Sequence, residues 1–103
     1  MMDDILTLLT QVRQNPNIYL GKSSLELLFA FITGCLCYKN IKEKSCPNFL
    51  PGFQEFVQKK YNIIKSYGWA QIIRKQSSTD SDAFYAFFDL LDEFLSVTQK
   101  ENL

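Results

Sequence analysis

The chain has 103 residues, 47% of them hydrophobic and 15% aromatic, enough apolar material for one real core and too much for a disordered chain. Eleven acids balance eleven bases, and a net charge of zero argues against a protein that holds nucleic acid or membrane by long-range charge. No histidine is present, so the commonest general base and zinc ligand is missing.

Asp3 is placed to cap a first short helix over about 4–14, with Ile5, Leu8, Leu9 and Val12 on its inner face. Asn15-Pro16-Asn17 stops it, because proline cannot continue a helix and restricts the residue before it. Ile18 to Lys22 reads as a loop turning at Gly21 and pinned to the core by Tyr19 and Leu20. Ser23 or Ser24 caps the next helix, and only the first frame puts Glu26 where a capping box needs it. In that helix Leu25, Leu27, Leu28, Phe29, Phe31, Ile32, Cys35 and Leu36 point nearly all round, which predicts the central, buried helix. Gly34 within it reads as a mark of close helix–helix approach or of a kink.

Residues 39–48 are polar and read as an exposed loop. Pro51 fits the first turn of a third helix, whose apolar period runs through Phe53, Phe56, Val57, Tyr61 and Ile64. Tyr67-Gly68 suggests its C-terminal turn. A short fourth helix from Trp69 to about Lys75 turns Trp69, Ile72 and Ile73 inward and sets Arg74 and Lys75 at its negative end. After a loop at 76–79, residues 79–97 carry the clearest pattern in the chain. Phe84, Phe87, Phe88, Leu91 and Leu95 recur on one helical face, while Asp82, Tyr85, Asp89, Asp92 and Glu93 gather on the other. Thr79, Asp80 and Ser81 offer N-caps. No strand-like alternation, internal repeat or low-complexity segment interrupts this. The expected fold is all-α, a compact single-domain bundle of about five helices over residues 1–103.

Cys35 and Cys37, two residues apart on a helix, point to different sides and are not expected to bridge. With Cys46 they form an odd set, read as reduced, core-filling thiols of a cytoplasmic protein. Two aspartates stand where a signal peptide would carry bases, and the longest apolar run, Leu25 to Tyr38, is too short to span a bilayer. The three cysteines lack both the spacing and the fourth ligand of a structural zinc site, and none has an evident activating base. No catalysis, metal or cofactor is expected.

Zero net charge hides an asymmetry. Lys39, Lys42, Lys44, Lys59, Lys60, Lys65, Arg74 and Lys75 face only Glu43 and Glu55 in the middle of the chain, whereas residues 76–97 hold five acids and no base. Either the halves neutralise each other at the surface, or one of them is a docking face. A basic half with Tyr61, Tyr67 and Trp69 interleaved is how single strands are held, although these aromatics also fall at core spacing. Pro16-Asn17-Ile18-Tyr19-Leu20-Gly21 is similar to a run in type II topoisomerase ATPase domains, but that fold needs a longer chain and glycine-rich phosphate loops, and only four glycines are present.

Four pieces together carry a wider resemblance: Pro16-x-x-Tyr19-Leu20-Gly21 before an apolar helix; Phe53-x-x-Phe56-Val57 with Tyr61; Gly68-Trp69-x-x-Ile72-Ile73; and Ala83-Phe84-x-x-Phe87-Phe88-x-Leu90-Leu91-Asp92-x-Phe94. Their order resembles the small immunity proteins of bacterial contact-dependent growth inhibition and related polymorphic toxin systems. The resemblance implies a cytoplasmic protein that binds one cognate toxin domain, often a nuclease, and blocks it by stoichiometric complex formation. On that reading Asp82, Tyr85, Asp89, Asp92 and Glu93 are the partner-binding residues, with Tyr85 the central anchor. The alternative is a small helical adaptor or regulator that binds nucleic acid or another protein through Lys59, Lys60, Arg74 and Lys75. No membrane partner is expected, and the oligomeric state is left open.

Overall fold

The computed structural model describes residues 2–43, 49–64 and 67–101. Six helices follow one another: α1 Met2–Gln14, α2 Pro16–Leu20, α3 Leu25–Lys39, α4 Phe53–Lys60, α5 Trp69–Gln76 and α6 Asp80–Glu101, with a 3-10 turn at Ile41–Glu43. Among the described residues there is no strand, so the chain is all-α as its periodicity predicts. A radius of gyration of 13.7 Å is that of one compact domain of this length.

The 22-residue α6 organises the packing, with α3, α4 and α5 laid against it. Ala83, Phe84, Phe87, Phe88, Leu90 and Leu91 of α6 are buried. Phe87 lies 5.1 Å from Trp69 and 5.8 Å from Phe53, ring centre to ring centre, and Phe94 lies 5.5 Å from Phe53. These stacked and edge-on contacts between three helices are the geometry aromatic rings prefer. From α1, Ile5, Leu9 and Val12 complete the core.

Several expectations change in three dimensions. The stretch read as a loop after Pro16 is the five-residue α2, with proline in its first turn and Gly21 ending it at φ 85°. Proline without an N–H is compatible with that position, and the left-handed angle favours glycine. Tyr19 and Leu20 pack against the core as expected, while Ile18 faces solvent. Pro51 precedes the helix it was expected to enter: Gly52, at φ 91°, is the residue before α4. That helix stops at Lys60, and Asn62 adopts φ 56°, so Ile64 falls outside the helical period and is exposed. Gly68 begins α5 rather than ending α4.

The largest correction concerns α3. Only Leu25, Leu28 and Ile32 are buried, whereas Leu27, Phe29 and Tyr38 are exposed. An apolar sequence all round therefore does not make α3 central; it lies at the edge, because the longer and more aromatic α6 already fills the middle. Within this helix Cys35 is a half-buried free thiol, but Cys37 is disulfide-bonded, which corrects the reading of uniformly reduced cysteines. Cys35 and Cys37 are not bridged to each other, as their spacing on the helix predicts. Cys46 and the rest of residues 44–48, the second part of the polar stretch read as a loop, lie outside the described residues, as does Lys65.

Candidate partner-binding face

The period of α6 that buries six side chains turns Asp82, Tyr85, Asp89, Asp92 and Glu93 outward, and all five are exposed along one stripe. The structure thus brings every residue of the expected face together, but it gives the two halves of that face different surroundings. At the C-terminal half, both oxygens of Asp92 accept from Nη1 of Arg13, at 2.9 and 3.2 Å. The same guanidinium stands 5.3 Å from the ring centre of Phe88. Nζ of Lys60 donates to Oε1 of Glu93 at 2.7 Å. All four of these side chains remain about half exposed, so each pair contributes no more than about 1 kcal/mol.

The N-terminal half is open. Among the described residues no ion pair reaches the carboxylate of Asp82 or of Asp89. Tyr85 stands between them, 53% exposed, its ring edge-on to Phe84 at 5.2 Å. Its hydroxyl shares a 3.3 Å hydrogen bond with Oγ of Ser23, which fixes the direction of the ring from the loop before α3. Thr79 is the cap that α6 uses: its Oγ1 accepts from the backbone N–H of Asp82 at 3.0 Å.

Because Thr79 takes the cap, Asp80 is free to serve another helix. Oδ1 accepts from the backbone N–H groups of Leu25 and Glu26 at 3.0 and 3.2 Å, Oδ2 accepts from the hydroxyl of Ser24, and Nε of Arg74 lies 3.8 Å away. Ser24 itself caps α3, accepting from Leu27 N–H at 3.2 Å, so the helix starts in the second of the two frames and without a capping box. Burial pushes the Asp80 carboxyl upward, but the Ser24 hydroxyl, the two backbone N–H groups and Arg74 outweigh it and hold the group below the usual carboxylate range. By sequence Asp80 is only an N-cap candidate for its own helix. Its role across 55 positions of chain had no local signal.

The basic half does not form a comparable open face. Lys60 is tied to Glu93, Arg74 donates to the carbonyl of Ser77 besides facing Asp80, and Nζ of Lys75 sits 4.1 Å above the ring of Tyr67. Trp69 is buried in the aromatic cluster and Tyr61 is half-buried, so neither offers an open ring face for a base to stack on. Lys59 is exposed.

Two apolar grooves were not legible in the sequence. One of about 840 Å³ lies between α4 and the end of α6, with Phe56, Ile63, Phe94 and Val97 in its walls. The other, about 690 Å³, lies between α3 and α5 over Leu25, Phe29 and Trp69, with Glu26 and Lys75 at its edge. Among the described residues no cluster of acids and cysteines is arranged to hold a metal ion, and no helix is long and apolar enough to cross a membrane. Comparison with protein families, with curated proteins and with solved structures returned no match to this chain.

Proposed function

We infer that the chain neutralises a toxin domain by one-to-one binding, as its resemblance to immunity proteins implies, without catalysis and without a cofactor. The observation that carries this reading is the open half of the α6 face. There a solvent-facing tyrosine is held in place by Ser23 between two carboxylates that no described cation satisfies. A toxin that works on an anionic substrate such as nucleic acid presents a cationic surface, and Asp82 and Asp89 compete for it. Complementary charge speeds the encounter and selects the partner, while an oriented aromatic anchor slows dissociation. Asp92 and Glu93 join at the margin, since their exposed pairs with Arg13 and Lys60 are weak enough to be exchanged for a partner's cation.

Co-expression with the product of the gene immediately upstream tests this. A one-to-one complex that co-purifies and restores growth is the expected result. The double variant Asp82→Lys, Asp89→Lys then loses about tenfold or more in affinity at low salt while its helical circular dichroism is unchanged. Unchanged affinity would move the interface off α6, and the absence of both complex and rescue would overturn the reading.

A further inference from the structure

The groove between α3 and α5 has an apolar body and a charged rim. Leu25 and Trp69 are buried beneath it, and Phe29, 43% exposed, stands in its α3 wall with its ring edge-on to Trp69 at 5.5 Å. A cleft of about 690 Å³ lined in this way, chiefly apolar with a few polar groups at its edge, is the form that small-molecule sites take.

The charges at the rim are of both signs and come from opposite walls. Glu26 stands on the α3 side, exposed, in the first turn of that helix. Arg74 and Lys75 stand on the α5 side, in its last turn. Oδ1 of Asp80 ties the two walls together, accepting from the N–H of Glu26 at 3.2 Å while Nε of Arg74 lies 3.8 Å away. Arg74 is therefore shared with Asp80 and with the carbonyl of Ser77. Among the described residues no ion pair reaches the carboxylate of Glu26 or the ammonium of Lys75, which rests over the ring of Tyr67 at 4.1 Å. An acid and a base thus border one apolar groove from its two sides without meeting each other.

We propose that this groove binds a small apolar zwitterion, a dipeptide with large hydrophobic side chains. Its ammonium meets Glu26, its carboxylate meets Lys75, and its side chains cover Phe29 and Trp69. A simple anion is repelled by Glu26, and a simple cation by Arg74 and Lys75, so only a ligand of both signs suits the whole rim. A single amino acid carries both charges on one carbon and fills little of the groove. A dipeptide separates the charges towards the two walls and brings two side chains to the apolar surface between them. Exposed ion pairs are weak, so the apolar contact supplies most of the affinity and the charges supply the selection. The inference is independent of the toxin-binding reading, which uses the exposed face of α6.

Titration of the isotopically labelled full chain with phenylalanyl-leucine, followed by NMR, is the test. The expected result is saturable shifts at the backbone amides of Glu26, Phe29 and Lys75 and at the indole N–H of Trp69, the chain's single tryptophan. N-acetylation and C-terminal amidation of the dipeptide each weaken binding about threefold to fivefold, the scale of one exposed ion pair. In Glu26→Gln the acetylated and free dipeptides bind alike, and in Lys75→Gln the amidated and free ones do. A general change in the fold does not produce that crossed pattern. Absence of shifts at these positions up to the solubility of the dipeptide overturns the proposal. So do shifts confined to α4 and the end of α6, which assign the dipeptide to the other groove. Equal binding of free and blocked dipeptides also overturns it, because the charged rim then selects nothing.

Discussion

Asp80 belongs to α6 by sequence, but its carboxylate acts on α3, accepting from Ser24, Leu25 and Glu26 while Arg74 faces it. One side chain thereby satisfies donors that the first turn of α3 would otherwise leave without partners. Since these donors hold its pKa below the ordinary 3.8, the stabilisation is complete above that value and is lost as pH falls through the lower, folded-state pKa. Asp80→Asn is therefore expected to cost on the order of 1–2 kcal/mol at pH 7. Urea denaturation at neutral and at strongly acidic pH checks this: the gap between variant and parent narrows in acid. An equal gap at both would mean that the carboxylate's charge is not what joins the two helices.

Among the elements, the link between α4 and α5 shows why short helices hold here. Each has eight residues, too few to be stable alone in water. Gln54 in the first turn of α4 donates to the carbonyl of Tyr67 and accepts from the N–H of Trp69, both at 2.7 Å. It fixes the entry to α5 and so the position of Trp69 in the core. Gln54→Leu leaves both backbone groups short of their partner and is expected to destabilise by about 1–3 kcal/mol. The amide of Trp69 should lose protection from hydrogen exchange well before those of α6. Retained protection at Trp69 would show that α5 is held by burial alone. The α3 helix carries the contrary lesson. Its all-round apolar pattern reads as burial, yet only Leu25, Leu28 and Ile32 are buried, because the rest of this small core covers one side of the helix.

At the scale of the whole molecule, the core is an aromatic cluster from α4, α5, α6 and the segment before α4, with Phe87 at its centre, within 6.0 Å of Phe49, Phe53, Trp69 and Phe88 by ring centroid. Phe87→Ala removes contacts to four rings at once and is expected to cost about 3–5 kcal/mol in equilibrium unfolding. A loss under about 1 kcal/mol would mean that the cluster collapses around the gap. Zero net charge has a structural counterpart too. Arg13 and Lys60, from α1 and α4, each meet an acid of α6, so part of the charge asymmetry along the chain is neutralised at the surface and part, at Asp82 and Asp89, is left facing out.

The sequence by itself determined the helical class, the extent of α1 and α5, and the two faces of α6. Periodicity, proline stops and capping residues are local, and local chemistry decides which side of a helix is apolar. It also gathered Asp82, Tyr85, Asp89, Asp92 and Glu93 onto one stripe, since spacing along a helix suffices for that. Only the tertiary structure decided which helix takes the centre, because that depends on competition between α3 and α6 for the same core. It alone separated Asp92 and Glu93, which meet Arg13 and Lys60, from the open pair beside Tyr85, and turned Asp80 from a cap of its own helix into the tie to another. Those partners lie 79, 33 and 55 residues away, and no pattern of neighbouring residues encodes a contact of that range.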